Sequence, residues 1–193
     1  MTRVILASAN AHKLEELQAL FGEAGAFSFE LAPSPLEVEE TGTTFAANAA
    51  LKAEAYAQAF GLPALADDSG LCVDALDGRP GVYSARYAPT DAERIAKLLG
   101  ELDGVPEAER TAAFVCAMAL RFPDGRQIEV EGRCPGVIVD APRGQGGFGY
   151  DPVFLVPSLS KTFAELTAAE KNAVSHRAIA TSRLRGALAA VQI

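Results

Sequence analysis

Thr111-Ala112-Ala113-Phe114-Val115-Cys116-Ala117-Met118-Ala119-Leu120-Arg121-Phe122, then Pro123-Asp124-Gly125, then Gln127-Ile128-Glu129-Val130, is the stretch that decides the fold. A long β-prone run, a Pro-Asp-Gly turn and a second β-prone run read as a long β-hairpin. Downstream, Gly136 to Val139 reads as a further strand, Gly144 to Gly149 as a glycine-rich loop and Val153 to Val156 as another strand. Helical sequence closes the chain from about Ala168. Upstream, Arg3 to Ala7 is a short β-like run, and the segment after it carries Leu14, Leu17, Leu20 and Phe21 at helical spacing. A Pro-rich loop at Pro33 to Pro35 precedes an alanine-rich helix over about Thr44 to Phe60, closed by Gly61 and Pro63. Asn48 and Lys52, at i and i+4, share one face of it. Thr90-x-x-Glu93 is a capping box for a helix ending near Gly100. Strands and helices alternate at both ends with a hairpin between them, which predicts an α/β fold: a mixed, twisted sheet flanked by helices rather than a purely parallel one. No composition break marks a linker, so residues 1–193 read as one domain, or two closely packed lobes.

Composition narrows the classes of function. At 49% hydrophobic and 22% charged residues, with no low-complexity run or repeat, the chain is an ordinary globular one long enough for a sizeable core. Its net charge of -8 gives long-range attraction to nucleic acid or an anionic membrane the wrong sign, so neither is expected as a partner. A small anionic ligand remains open if a few cations converge locally. Cys72, Cys116 and Cys134 are odd in number and form no C-x-x-C pair, so a disulfide framework or structural zinc site is not expected. The first apolar segment is too short for a signal peptide, and no run reaches the length of a membrane span. A cytoplasmic setting is the expectation.

Chemistry concentrates in a few places. Ala66-Asp67-Asp68-Ser69-Gly70-Leu71 follows the apolar run from Leu62 to Leu65. Adjacent carboxylates at the end of a buried segment repel and resist desolvation, so they mark either a cation or proton-transfer site or an Asp-Ser-Gly turn capped by a side chain. Ser8, Asn10 and Lys13 sit where the first strand hands over to the first helix, and they form either an anion cradle on the helix N-terminus or an ordinary cap with a solvated lysine. The G-x-x-x-x-G-K pattern of a Walker loop is absent. Glu39 and Glu40 before the second helix are solvated, or join Asp67 and Asp68 as the one or two carboxylates that Mg²⁺ takes beside water and phosphate. In Gly144 to Asp151, Phe148 either stacks on a base or enters the core. Lys171 and His176 would lie about 140° apart on one continuous helix, so they converge only if it breaks, and Ser175 offers a restart. With His12 and His176 the only histidines, a histidine-based metal site is disfavoured.

The motifs together carry more than each alone. Ser8-x-Asn10-x-x-Lys13, Glu39-Glu40-Thr41-Gly42, Asn48-x-x-x-Lys52, Asp67-Asp68-Ser69-Gly70-Leu71, the run from Pro80 to Tyr87, Gly146 to Pro152, and Lys171-Asn172-x-x-Ser175-His176-Arg177 occur in that order. From about Val4 to Arg177 the chain closely resembles the HAM1/RdgB-like family of inosine triphosphate pyrophosphatases. The resemblance implies a Maf/HAM1-like fold and hydrolysis of ITP, dITP and XTP to the monophosphate and pyrophosphate with Mg²⁺. It also implies a housecleaning role and a homodimer. By motif matching it gives Asp68 as proton acceptor and magnesium ligand, Glu40 as a second ligand, and Lys13 and Lys52 as catalytic cations. Substrate contacts would come from Ser8, Ala9, Asn10, Ala11, His12 and Lys13, from Ser69, from Phe148, Gly149, Tyr150 and Asp151, and from Lys171, His176 and Arg177. The first motif departs from many relatives, with Ser8-Ala9 for Thr-Gly and His12 for a small residue. The alternatives are a Maf-like pyrophosphatase preferring other triphosphates, a nucleotide sensor without turnover, and a phosphomonoesterase releasing orthophosphate.

Overall fold

The computed structural model describes residues 2–8, 11–21 and 27–190. Seven strands form one mixed sheet in the order β2-β1-β3-β4-β5-β6-β7. The strands are β1 (Thr2–Leu6), β2 (Phe27–Leu31), β3 (Ala64–Val73), β4 (Thr111–Arg121), β5 (Gln127–Ile138), β6 (Phe154–Val156) and β7 (Lys161–Thr162). The helices are α1 (Ala11–Phe21), α2 (Phe45–Phe60), α3 (Asp91–Glu101), α4 (Ala168–Val174) and α5 (His176–Ala190). β1 runs parallel to both β2 and β3, whereas β6 is antiparallel to β5 and to β7. The α/β class and mixed sheet expected from sequence are therefore present. Among the described residues no helix is long and apolar enough to cross a membrane.

The chain divides into two compact units, 1–68 with 116–132 and 177–193, and 69–115 with 133–176. In the first unit the period-2 alternation of side chains along a strand sorts the core into two faces. Val4, Leu6 and Leu65 pack with Leu17 of α1 and with Ala180, Leu184 and Leu188 of α5. Ile5, Ala64 and Ala66, one residue out of step, pack with Ala49, Ala53, Tyr56 and Ala57 of α2. The small alanine side chains of α2 present little bulk to the strands, and the helix is delimited by Thr44, which accepts from the Ala47 N–H, and by left-handed Gly61. In the second unit Leu71, Val73, Phe114, Phe154 and Phe163 form a core with Ile95, Leu98 and Leu102. Ile95 and Leu98 lie in α3, whose capping box of Thr90 and Glu93 is formed as expected.

Three departures from the sequence reading have physical causes. The strand expected at Gly136 to Val139 is the far end of β5, continuous with the hairpin. Pro135 and Gly136 read locally as breakers. Yet a Cβ at Gly136 would run into the Phe154 ring and the Leu155 carbonyl, so the glycine is what lets β6 approach. The acidic motif is not a turn but the middle of the ten-residue β3. β2 was not anticipated. Its five residues carry Ser28 and Glu30 between apolar neighbours, too short a pattern to register without the β1 edge on which it pairs.

Candidate active site

Because Asp67 and Asp68 are consecutive on β3, they leave the strand on opposite faces. Asp67 shares the face of Leu65, where α1 and α5 pack, and both helices supply a cation to it. Lys13 Nζ lies 2.8 Å from Oδ1 and Arg177 Nη2 3.4 Å from Oδ2. Burial pushes the Asp67 carboxyl up, but the Lys13 and Arg177 charges and the Lys13 hydrogen bond outweigh it and hold the group well below the usual carboxylate range. Asp68 shares the face of Ala66, where α2 packs. Asn48 Nδ2 donates to its Oδ2 at 3.1 Å, and Lys52 Nζ is 3.8 Å from its Oδ1. Lys52 also bonds Glu40 at 2.9 Å, so one ammonium serves two carboxylates. Burial raises the Asp68 pKa above its ordinary value. Lys52 and the Asn48 bond pull it down, while the Glu40 and Asp67 charges push it up again. Ser8, half-buried two residues past β1, lines a cleft of about 590 Å³ with Leu36, Glu39, Glu40, Lys52 and Tyr56. Ala9 and Asn10 lie outside the described residues, as do the side chains of Ala11 and His12.

The second unit holds a different cluster. Lys171 bonds Asp151 Oδ2 at 2.5 Å, and the same oxygen accepts the Phe148 N–H at 3.0 Å. The Lys171 ammonium lies 5.1 Å from the Phe148 ring centroid and 5.3 Å from that of Phe163, within cation–π range. His176 stacks on Phe114 at 5.0 Å with planes 15° apart. The helix breaks where Ser175 offers a restart: α4 ends at Val174, Ser175 is extended at φ -68 and ψ 150, and α5 begins at His176. Phe148 is 66% exposed, which removes the core alternative for its ring. Tyr150 is buried, its hydroxyl donating to the Ser84 carbonyl at 3.0 Å. Ser69, next along β3 after Asp68, is half-buried.

Gly147 shows why this loop is glycine-rich. Its φ is +74, and a Cβ there would land inside the Asp151 carboxylate that holds both Lys171 and the Phe148 amide. Gly147→Ala is expected to destabilise the protein by about 1–3 kcal/mol through left-handed strain and the displaced carboxylate. A urea titration reads it directly, and an unchanged midpoint would mean the loop relaxes freely.

The sequence model of the Ham1 family matches residues 4–187. The chain belongs to that family. A dITP/XTP pyrophosphatase from Geobacillus kaustophilus (strain HTA426) is 53% identical over 189 residues, covering 95% of this chain and 93% of the relative. The dITP/XTP pyrophosphatase from Gloeobacter violaceus is 55% identical over 184 residues, again covering 95% and 93%. Among solved structures, a HAM1 protein from Coxiella burnetii superposes with a TM-score of 0.90 at 44% identity, covering 98% of this chain and 99% of that one.

The donor set around Lys52 consists of oxygen ligands of the kind a divalent cation takes. Glu40 and Asp68 are hard oxygen ligands drawn to one centre of positive charge, with no thiolate or imidazole among them. Among the described residues no three His, Cys, Asp or Glu side chains cluster to cage a metal. Two carboxylates with the remaining positions left to phosphate and water suit Mg²⁺, which is seldom caged by protein alone. The residues therefore fit. Asn48, which the sequence places on one face with Lys52 without giving it a role, is fully buried and bridges the Gly42 N–H at 2.8 Å and Asp68. The signal for that role was an amide on the apolar face of an alanine-rich helix, where a polar group must be hydrogen-bonded.

Proposed function

We propose that this protein hydrolyses non-canonical purine nucleoside triphosphates, dITP, XTP and ITP, to the monophosphate and pyrophosphate, with Mg²⁺ held by Asp68 and Glu40. The observation that carries the reading is the division of labour on β3, with Asp67 anchoring two cations while Asp68 keeps a raised pKa beside Lys52. Such a nucleotide pyrophosphatase generally needs a divalent metal; bound there, Mg²⁺ supplies phosphate charge neutralisation and an acidified water.

The chain's own groups take the following parts. Ser8 to Lys13 hold phosphate oxygens at the start of α1, Lys13 contributing a full charge. Asp68 orients a water and takes its proton as the water oxygen bonds to the α-phosphorus. The bond from that phosphorus to its bridging oxygen breaks, and the electron pair leaves with pyrophosphate. Lys52 faces charge that grows on the phosphate oxygens, a preorganised electrostatic contribution. Phe148 offers an exposed ring on which a purine stacks, with Lys171 and Asp151 fixed beside it. Donors from the backbone, His176 or Arg177 would pair with the 6-oxo group of hypoxanthine or xanthine and be left unpaired by a 6-amino group. A polar pocket of that kind rejects an analogue by about 10⁴-fold. We read the protein as a cytoplasmic homodimer, for which sedimentation is the check.

A panel of nucleoside triphosphates with Mg²⁺, scoring pyrophosphate and orthophosphate separately, tests the reading. Expected are pyrophosphate from dITP, XTP and ITP, at least about 100-fold less from ATP, and loss of turnover with EDTA that added Mg²⁺ restores. Preference for dTTP or UTP would place the activity with Maf-like enzymes. Orthophosphate as first product would make it a phosphomonoesterase, and binding without release a sensor.

A further inference from the structure

One hydrogen bond in the second unit joins residues 58 positions apart and has no part in the mechanism above: the Gly149 N–H donates to Asp91 Oδ2 at 2.8 Å. Asp91 opens α3. An aspartate there ordinarily offsets the helix dipole and pairs with a cation one turn on. Its Oδ1 does so, accepting Arg94 Nη1 at 2.7 Å, and Arg94 is tied in turn through Nε to the Ala88 carbonyl at 2.9 Å. The second oxygen, however, leaves the helix for the loop that carries Phe148.

That loop needs such a hold. Phe148 is mostly exposed, with the Lys171 ammonium 5.1 Å from its ring centroid, so the ring's direction depends on that cation and on the backbone on either side. On one side the Phe148 N–H is bonded to Asp151, and on the other Tyr150 is bonded to Ser84. Gly149 lies between them at φ +60, and nothing falls within 4 Å of where its Cβ would be. Backbone hydrogen bonds place this residue: the Asp151 N–H donates to the Phe148 carbonyl across it at 3.2 Å, and its own amide bond to Asp91 ties it to α3.

We infer that Asp91 is a positioning residue: by accepting the Gly149 N–H, with Arg94 steadying its carboxylate, it sets the orientation of the Phe148 ring on which the purine stacks. The inference rests on the reading of Phe148 given under Proposed function. It predicts a loss of nucleotide affinity without a loss of chemistry, because Asp91 touches no reacting atom.

The test compares Asp91→Ala and Asp91→Asn with the unaltered protein, using ITP turnover and amide hydrogen exchange at Gly149. For Asp91→Ala, KM for ITP is expected to rise about tenfold with kcat within about twofold, and Gly149 exchange to accelerate about tenfold, as for one charge-assisted hydrogen bond removed. Asp91→Asn, whose one amide oxygen can still accept from Gly149 but whose NH2 loses the Arg94 bond, should recover part of both. A lowered Tm with KM and Gly149 exchange unchanged would reduce Asp91 to an ordinary helix-start residue and overturn the inference. Faster exchange without a KM change overturns it as well. Should the unaltered protein release no pyrophosphate from any purine triphosphate, the functional reading itself fails, whereas a failure of the inference leaves that release intact.

Discussion

Asp68→Asn is expected to lower kcat/KM for ITP by about 10³-fold or more while leaving the fold intact. A positioned general base contributes about 10²- to 10⁴-fold, and the same carboxylate is half of the proposed Mg²⁺ donor pair, so removing its charge acts on both. The structural side of the exchange is mild. Asn48 Nδ2 donates to Asp68 Oδ2, and an asparagine in that place retains an oxygen to accept it. The loss of one attraction, to Lys52 at 3.8 Å, is offset by the loss of two repulsions, from Glu40 and Asp67, which both push the Asp68 pKa upward. Tm should therefore move by only a few degrees in either direction, and a small rise is consistent with a charge retained for chemistry at some expense in stability. Single-turnover pyrophosphate release beside a thermal melt makes the measurement. Activity within about tenfold of normal would take Asp68 out of the proton transfer, since no base of this kind contributes so little.

What the sequence made legible, and what it did not, follows the range of the interactions concerned. The hairpin, the limits of α2 and the capping box at Thr90 are local, written in residues two to four apart, and each formed as expected. The break at Ser175 was legible only as a condition: helical geometry keeps Lys171 and His176 on different faces unless the helix breaks, and Ser175 marks where it can. Once both acids lie in β3, strand alternation gives Asp67 and Asp68 unequal surroundings. It could not say which acid meets which partner, since that depends on α1, α2 and α5 choosing their sides of the sheet. The same holds for Asp91 and Gly149: a first-turn aspartate and a loop glycine carry no local mark of a contact across 58 residues. β5 misled for the converse reason, its proline and glycine being local breakers overruled by the approach of β6.

Asp67→Asn should fail in the opposite way from its neighbour, by losing stability first. Asp67 is buried with Lys13 and Arg177, whose side chains are 28% and 12% exposed. Removing one partner of a buried ion pair leaves the others desolvated without compensation, which typically costs about 3–5 kcal/mol. The partial exposure of Lys13 argues for the lower end, about 3 kcal/mol, or a fall in Tm of roughly 6–12 °C for a chain of this length. An asparagine still accepts a hydrogen bond from Lys13 but no longer balances two charges. Both cations are then free to repel each other, and Lys13 moves from the start of α1, where the proposed phosphate seat lies. KM for ITP should rise about tenfold or more in consequence, with a smaller change in kcat, as expected when a group that mainly binds substrate is displaced. Lys13→Ala provides the complement: it weakens binding by a similar factor but costs less stability, because Arg177 still pairs with Asp67. Denaturant titrations and initial rates on the three variants place Asp67 and Asp68 on separate axes, stability and binding for one, turnover for the other. If Asp67→Asn instead kept its Tm and lost turnover as Asp68→Asn does, both acids would belong to one catalytic pair and the division made by the two faces of β3 would have no functional meaning.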